Sequence, residues 1–148
     1  MIESNVIDRY FERYGGQAER LNSETWRTTL RGEIALYPLY LHLTPRFVYL
    51  HIAPFLLEPK EEAAPRLFWA LLRYNQEMDL AKFSMDANGD ILLSVELPAE
   101  DFDYTRFEEA LSLLERYADA AYRELLNLAQ DPDAECRFDD EENPGLLA

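Results

Sequence analysis

A chain of 148 residues, 48% hydrophobic with two Trp, nine Tyr and eight Phe, has the length of one domain and the apolar content of a packed core, which excludes general disorder. Its 29 acidic against 14 basic residues leave a net charge of −15, which repels phosphate backbones and excludes nucleic acid as an expected partner. No apolar run approaches the roughly 18 residues of a membrane span, so no membrane is expected either.

Ile2, Val6, Tyr10 and Tyr14 recur at steps of four, with Ile7 and Phe11 beside them. That stripe predicts a helix over 2–14, ended by Gly15-Gly16. From Glu24 the period drops to two. Trp26, Thr28 and Leu30 alternate with Thr25, Arg27, Thr29 and Arg31, and Arg31-Gly32-Glu33 makes a turn. Two further strands, 34–44 and 47–56, meet at Thr44-Pro45-Arg46-Phe47, where Pro45 pre-sets the turn dihedral. Pairing about that turn sets Leu43 opposite Val48, Leu41 opposite Leu50 and Leu39 opposite Ile52, all on one face. The other face then pairs His42 with Tyr49 and Tyr40 with His51. Pro38 and Pro54 should stop or bulge the ladder at its far end.

A charged linker, 58–65, leads into a helix near 62–77 that buries Leu67, Ala70, Leu71 and Tyr74. A second hairpin turns on Asp86-Ala87-Asn88-Gly89-Asp90. A two-residue Asn-Gly loop would mix polar with apolar partners. A three-residue loop ending on Gly89 pairs Met85 with Ile91, Phe83 with Leu93 and Ala81 with Val95 on one apolar face, which favours it. Pro98 ends that strand, and Asp103 caps a long helix over 104–129. Residues 131–142 hold seven acids against the single Arg137. The expected organisation is a single domain over 1–130 and a weakly ordered acidic tail over 131–148. The fold class is α+β: a five-stranded, mainly antiparallel sheet with helices on one face, in the order α-β-β-β-α-β-β-α.

Ala70-Leu71-Leu72-Arg73-Tyr74-Asn75, then Leu80-Ala81-Lys82-Phe83-Ser84-Met85-Asp86, the turn Asn88-Gly89-Asp90, and Ile91-Leu92-Leu93-Ser94-Val95-Glu96-Leu97-Pro98 carry a resemblance. Over about 66–125 the chain resembles the YbjN-like family, described as bacterial sensory transduction regulators and sharing its fold with type III secretion chaperones. The resemblance implies a dimeric, protein-binding or regulatory domain. It supplies no catalytic residues to transfer. The acidic tail and the two-histidine face are departures from the family pattern.

Motifs that could carry chemistry are few. The Asp86–Asp90 segment lacks an EF-hand's Glu at position twelve, where Leu97 stands, and strands flank it. Cys136 sits among carboxylates with no neighbouring His and cannot form an internal disulfide. No serine lies in a Gly-x-Ser-x-Gly elbow, and no glycine loop cradles phosphate. His42 and His51 lie diagonally on one face, which is half a zinc site unless a second subunit supplies the rest. The N-terminus shows no basic cluster followed by an apolar segment, and with one cysteine the expected compartment is the cytoplasm. The function expected from these residues is a non-enzymatic, cofactor-free, protein-interaction or chaperone-like module acting as a homodimer, with an unidentified client. Tyr40, His42, Tyr49 and His51 are its candidate partner-binding residues. The alternative is a small-molecule or metal-binding sensor using the same two histidines.

Overall fold

The computed structural model describes residues 2–140. Helix α1 (Ser4–Tyr14) buries Ile7 and Phe11 and ends on Gly15 at φ 98°, as its sequence requires. The strands β1 (Glu19–Asn22), β2 (Thr25–Arg31), β3 (Leu36–Leu43) and β4 (Phe47–Leu56) follow. A short 3₁₀ turn then opens α2 (Ala64–Glu77), and the hairpin β5 (Ala81–Met85) and β6 (Ile91–Pro98) leads to α3 (Tyr104–Gln130). Asp103 caps α3 by accepting the Arg106 N–H at 2.9 Å.

All strand pairs are antiparallel, in the order β1-β2-β3-β4-β6-β5. The sheet therefore has six strands where five were expected. The additional one, β1, is Glu-Arg-Leu-Asn with every residue exposed. With neither face buried it leaves no period-two signal, and only its pairing with β2 makes it a strand.

Both hairpin registers are those expected. Leu39, Leu41 and Leu43 face Ile52, Leu50 and Val48, while Ala81 and Phe83 face Val95 and Leu93. The β3–β4 ladder stops at Leu39↔Ile52, and β4 slips register against β6 between Ile52 and Leu56, as Pro38 and Pro54 require. Met85 pairs with Ile91 as expected, yet at the end of the edge strand it is 55% exposed.

The buried side chains form one cluster between the sheet and the helices. Helix α3 is its spine. Three of its acids each take a tyrosine hydroxyl from a different element: Tyr14 of α1 donates to Glu115 at 2.5 Å, Tyr37 of β3 to Asp119 at 2.8 Å, and Tyr74 of α2 to Glu124. Burial, then the adjacent carboxylate, pushes all three phenols above their ordinary value. Asp119 also accepts the N–H groups of Glu33 and Ile34, pinning the β2–β3 loop to α3. Gly32 must be glycine there, since a Cβ would stand 2.3 Å from the Asp119 carboxylate.

The stretch 131–140, expected to open a weakly ordered tail, instead packs on α2 and α3. Phe138 is 3% exposed and Cys136 6%. The Phe138 ring meets Tyr74 at 5.1 Å and Trp69 at 6.3 Å, between the guanidinium groups of Arg73 and Arg137. Arg66 donates to the Ala134 carbonyl at 2.8 Å and to Asp139 at 2.6 Å. The acidic composition that suggested solvation hides two apolar anchors. Leu146, Leu147 and the rest of 141–148 lie outside the described residues.

Candidate interaction surface

The helices cover one face of the sheet. The alternation of β3 and β4 puts Tyr40, His42, Tyr49 and His51 on the other, half-buried among their strand neighbours. The expected pairs His42↔Tyr49 and Tyr40↔His51 are both present. Three rings form a row: His42 stacks on Tyr49 at 6.3 Å, and Tyr49 on His51 at 5.9 Å with 12° between planes. Phe47 extends the row at 6.0 Å from Tyr49. Trp26 is in the core, its indole N–H donating to Asp8 at 2.7 Å.

Each imidazole is held by a hydroxyl from the next strand. Nδ1 of His42 lies 3.0 Å from Thr25 Oγ1, and Nδ1 of His51 lies 2.7 Å from Ser94 Oγ. Neither Thr25 nor Ser94 stands out in the sequence. The signal was the register, since Thr25 pairs with His42 across β2–β3 and Ser94 with His51 across β4–β6. Burial keeps the His51 pKa below its ordinary value, with Glu96 opposing and Lys82 and His42 reinforcing the shift. Lys82 and Glu96 form an ion pair at 3.0 Å beside it, and Arg27, opposite Tyr40, pairs with Glu19.

A Ser–His contact of 2.7 Å invites a catalytic reading, and the geometry opposes it. Ser94 is 1% exposed, so its hydroxyl lies beneath the ring rather than in front of a substrate. Among the described residues no group of three His, Cys, Asp or Glu side chains is placed to hold a metal ion, which leaves the two histidines without a third ligand. Cys136 is buried, and its thiol is pushed up chiefly by that burial. Among the described residues no helix is long and apolar enough to cross a membrane. The arrangement offers an aromatic, partly charged surface for contact.

An open antiparallel sheet with helices packed on one face is also the frame of several solved structures from type III secretion systems. The fold is similar to a chain of the heterodimeric complex ExoU–SpcU from the type III secretion system of Pseudomonas aeruginosa, with a TM-score of 0.58, 18% identity, and 82% of this chain and 96% of that one covered. It is similar to a chain of the ExsC–ExsE complex, with a TM-score of 0.60, 19% identity and coverage of 84% and 97%. The structure of the Yersinia pestis type III secretion chaperone SycH with a stable fragment of YscM2 gives a TM-score of 0.52, 14% identity and coverage of 79% and 97%. At these identities the likeness is one of fold. The chain belongs to the YbjN family, whose model, described as "Putative bacterial sensory transduction regulator", matches residues 3–127. No curated protein matches it.

Proposed function

We propose that this protein is a non-enzymatic, chaperone-like or regulatory module of the bacterial cytoplasm that binds a client protein, acts as a homodimer, and makes its contact through Tyr40, His42, Tyr49 and His51. The observation that carries the reading is the row of stacked rings on the sheet face opposite the described helices. Aromatic side chains with polar tips supply contact area at low entropic cost, and they concentrate in protein interfaces. Similar folds come from complexes in which two different proteins are bound to each other, which supports a client; the second copy rests on the ring-bearing face alone.

Replacing Tyr49 or Tyr40 by Glu adds a charge to the row while leaving the opposite, core face untouched. Self-association or client binding should weaken by more than about 1 kcal/mol, with the melting temperature little changed. Sedimentation and thermal melts on both variants test this. A folded variant with undiminished association in both respects would end the proposal.

A further inference from the structure

A sheet ends in two edge strands, each offering main-chain N–H and C=O groups that a passing extended chain can pair with. Here the edges are β1 and β5. Strand β5 pairs Ala81, Phe83 and Met85 with Val95, Leu93 and Ile91, and just beyond it the Asp86 N–H donates to the Asp90 carbonyl at 3.0 Å. In an antiparallel ladder this alternation spends the main-chain groups of Lys82 and Ser84 on β6. Those of Ala81, Phe83 and Met85 turn outward.

Two of these outward positions are already engaged. The Ala81 N–H donates to the Asp79 carbonyl at 2.6 Å. At Phe83, the middle of the strand, a single side chain takes both groups. The Phe83 N–H donates to Asn75 Oδ1 at 2.7 Å, and Asn75 Nδ2 donates to the Phe83 carbonyl at 3.1 Å. A carboxamide carries an acceptor oxygen and an NH2 donor side by side, so one side chain can serve the N–H and the C=O of a single residue. From the last turn of α2, Asn75 thus makes the two bonds that one residue of a neighbouring strand would make.

We infer that Asn75 closes the β5 edge against strand pairing with a second copy of this chain. The setting is one that needs closing. Leu80 and Met85 bracket the strand at 53% and 55% exposure, so two such edges brought together would gain apolar burial as well as hydrogen bonds. Asparagine is a weak helix former, and at this helical position its two bonds to Phe83 are the compensation. At the other end of the sheet no carboxamide among the described residues takes both main-chain groups of a strand residue in this way. Strand β1 covers β2 only from Thr25 to Arg27, and beyond it Thr29 and Arg31 border a cleft of about 630 Å³. Asn75 and Phe83 both belong to the run that first suggested the family, and their eight-residue separation places the amide against the strand.

The experiment compares the wild type with Asn75→Ala, and with Asn75→Asp, which keeps the acceptor for the Phe83 N–H and loses the donor to its carbonyl. Under dilute conditions the Phe83 amide should exchange about tenfold faster in the alanine variant, the effect of one lost hydrogen bond. At rising concentration the same variant should form assemblies larger than the wild type does. Adding Met85→Lys, which places a charge on the edge, should return it to the wild-type state. The proposal is independent of the open-face reading, because Tyr49→Glu should leave this added association intact. Should Asn75→Ala fail to fold, Asn75→Asp carries the association readout alone, since its carboxylate still holds the Phe83 N–H, and no association beyond the wild type there would likewise overturn the inference. A folded variant whose Phe83 amide exchanges faster, with no association beyond the wild type, would show that Asn75 only tethers α2 to the sheet and would overturn the inference.

Discussion

His51 stands on the open face with its Nδ1 committed to a serine hydroxyl and its ring stacked on Tyr49. Burial there disfavours the charged imidazole, so the folded chain binds this proton less readily than the unfolded chain does. The stability that follows from the neutral ring is complete above about pH 6.5, the ordinary histidine value, and is lost as the pH falls through the lower folded value. Asp119 works in a separate window. Burial would raise its carboxyl, but the Glu33 N–H, the Tyr37 hydroxyl and the Ile34 N–H outweigh that and hold it below the usual carboxylate range. Its contribution is lost only at about pH 4 and below. Between pH 7.5 and 5.5, therefore, the melting temperature of the wild type should fall further than that of His51→Gln, which keeps a polar group near Ser94 and cannot titrate. Parallel curves for the two proteins over that range would refute the assignment.

Among the elements, the segment after α3 departs furthest from its composition. Seven acids in twelve residues read as solvated chain, yet Phe138 lies between Trp69, Tyr74 and two guanidinium groups, with Arg137 N–H donating to Glu124 at 2.5 Å. Phe138→Ala should cost about 3 kcal/mol, the low end for a buried phenylalanine because the site lies at the margin of the core. A loss under about 1 kcal/mol in chemical denaturation would return the segment to its solvated reading. The same contrast explains what the sequence disclosed. Leu39, Leu41, Leu43, Val48, Leu50 and Ile52 have one face buried, so their alternation set both the register and the face that carries Tyr40, His42, Tyr49 and His51. Strand β1, exposed throughout, had no alternation to read, and Phe138 stands alone with no periodic partner. Asn75 was visible as part of a run, but its role depends on a strand edge eight residues on, which only the assembled sheet brings within reach.

For the molecule as a whole, charge and the proposed homodimer pull in opposite directions. Each copy carries −15, so bringing two together sums like charges before any contact is made. The row from His42 through Tyr49 to His51 is mostly uncharged and offers packing rather than ion pairing, and the nearby Lys82–Glu96 pair is satisfied within one chain. Salt shortens the reach of the repulsion, to about 10 Å at 0.1 M and about 3 Å at 1 M, and leaves apolar contact intact. Self-association through this face should therefore strengthen as sodium chloride is raised from low to physiological concentration. A basic client would behave in the reverse sense, attracted at long range and weakened by the same salt. Sedimentation equilibrium across a salt series, on the wild type and on Tyr49→Glu, measures the first effect. The wild-type dimer should tighten with salt, while Tyr49→Glu, with one more negative charge per copy, should be weaker at every point and respond more steeply. A wild-type dimer that loosens as salt rises would mean that ion pairs hold it, and that its contact surface lies elsewhere than the ring-bearing face.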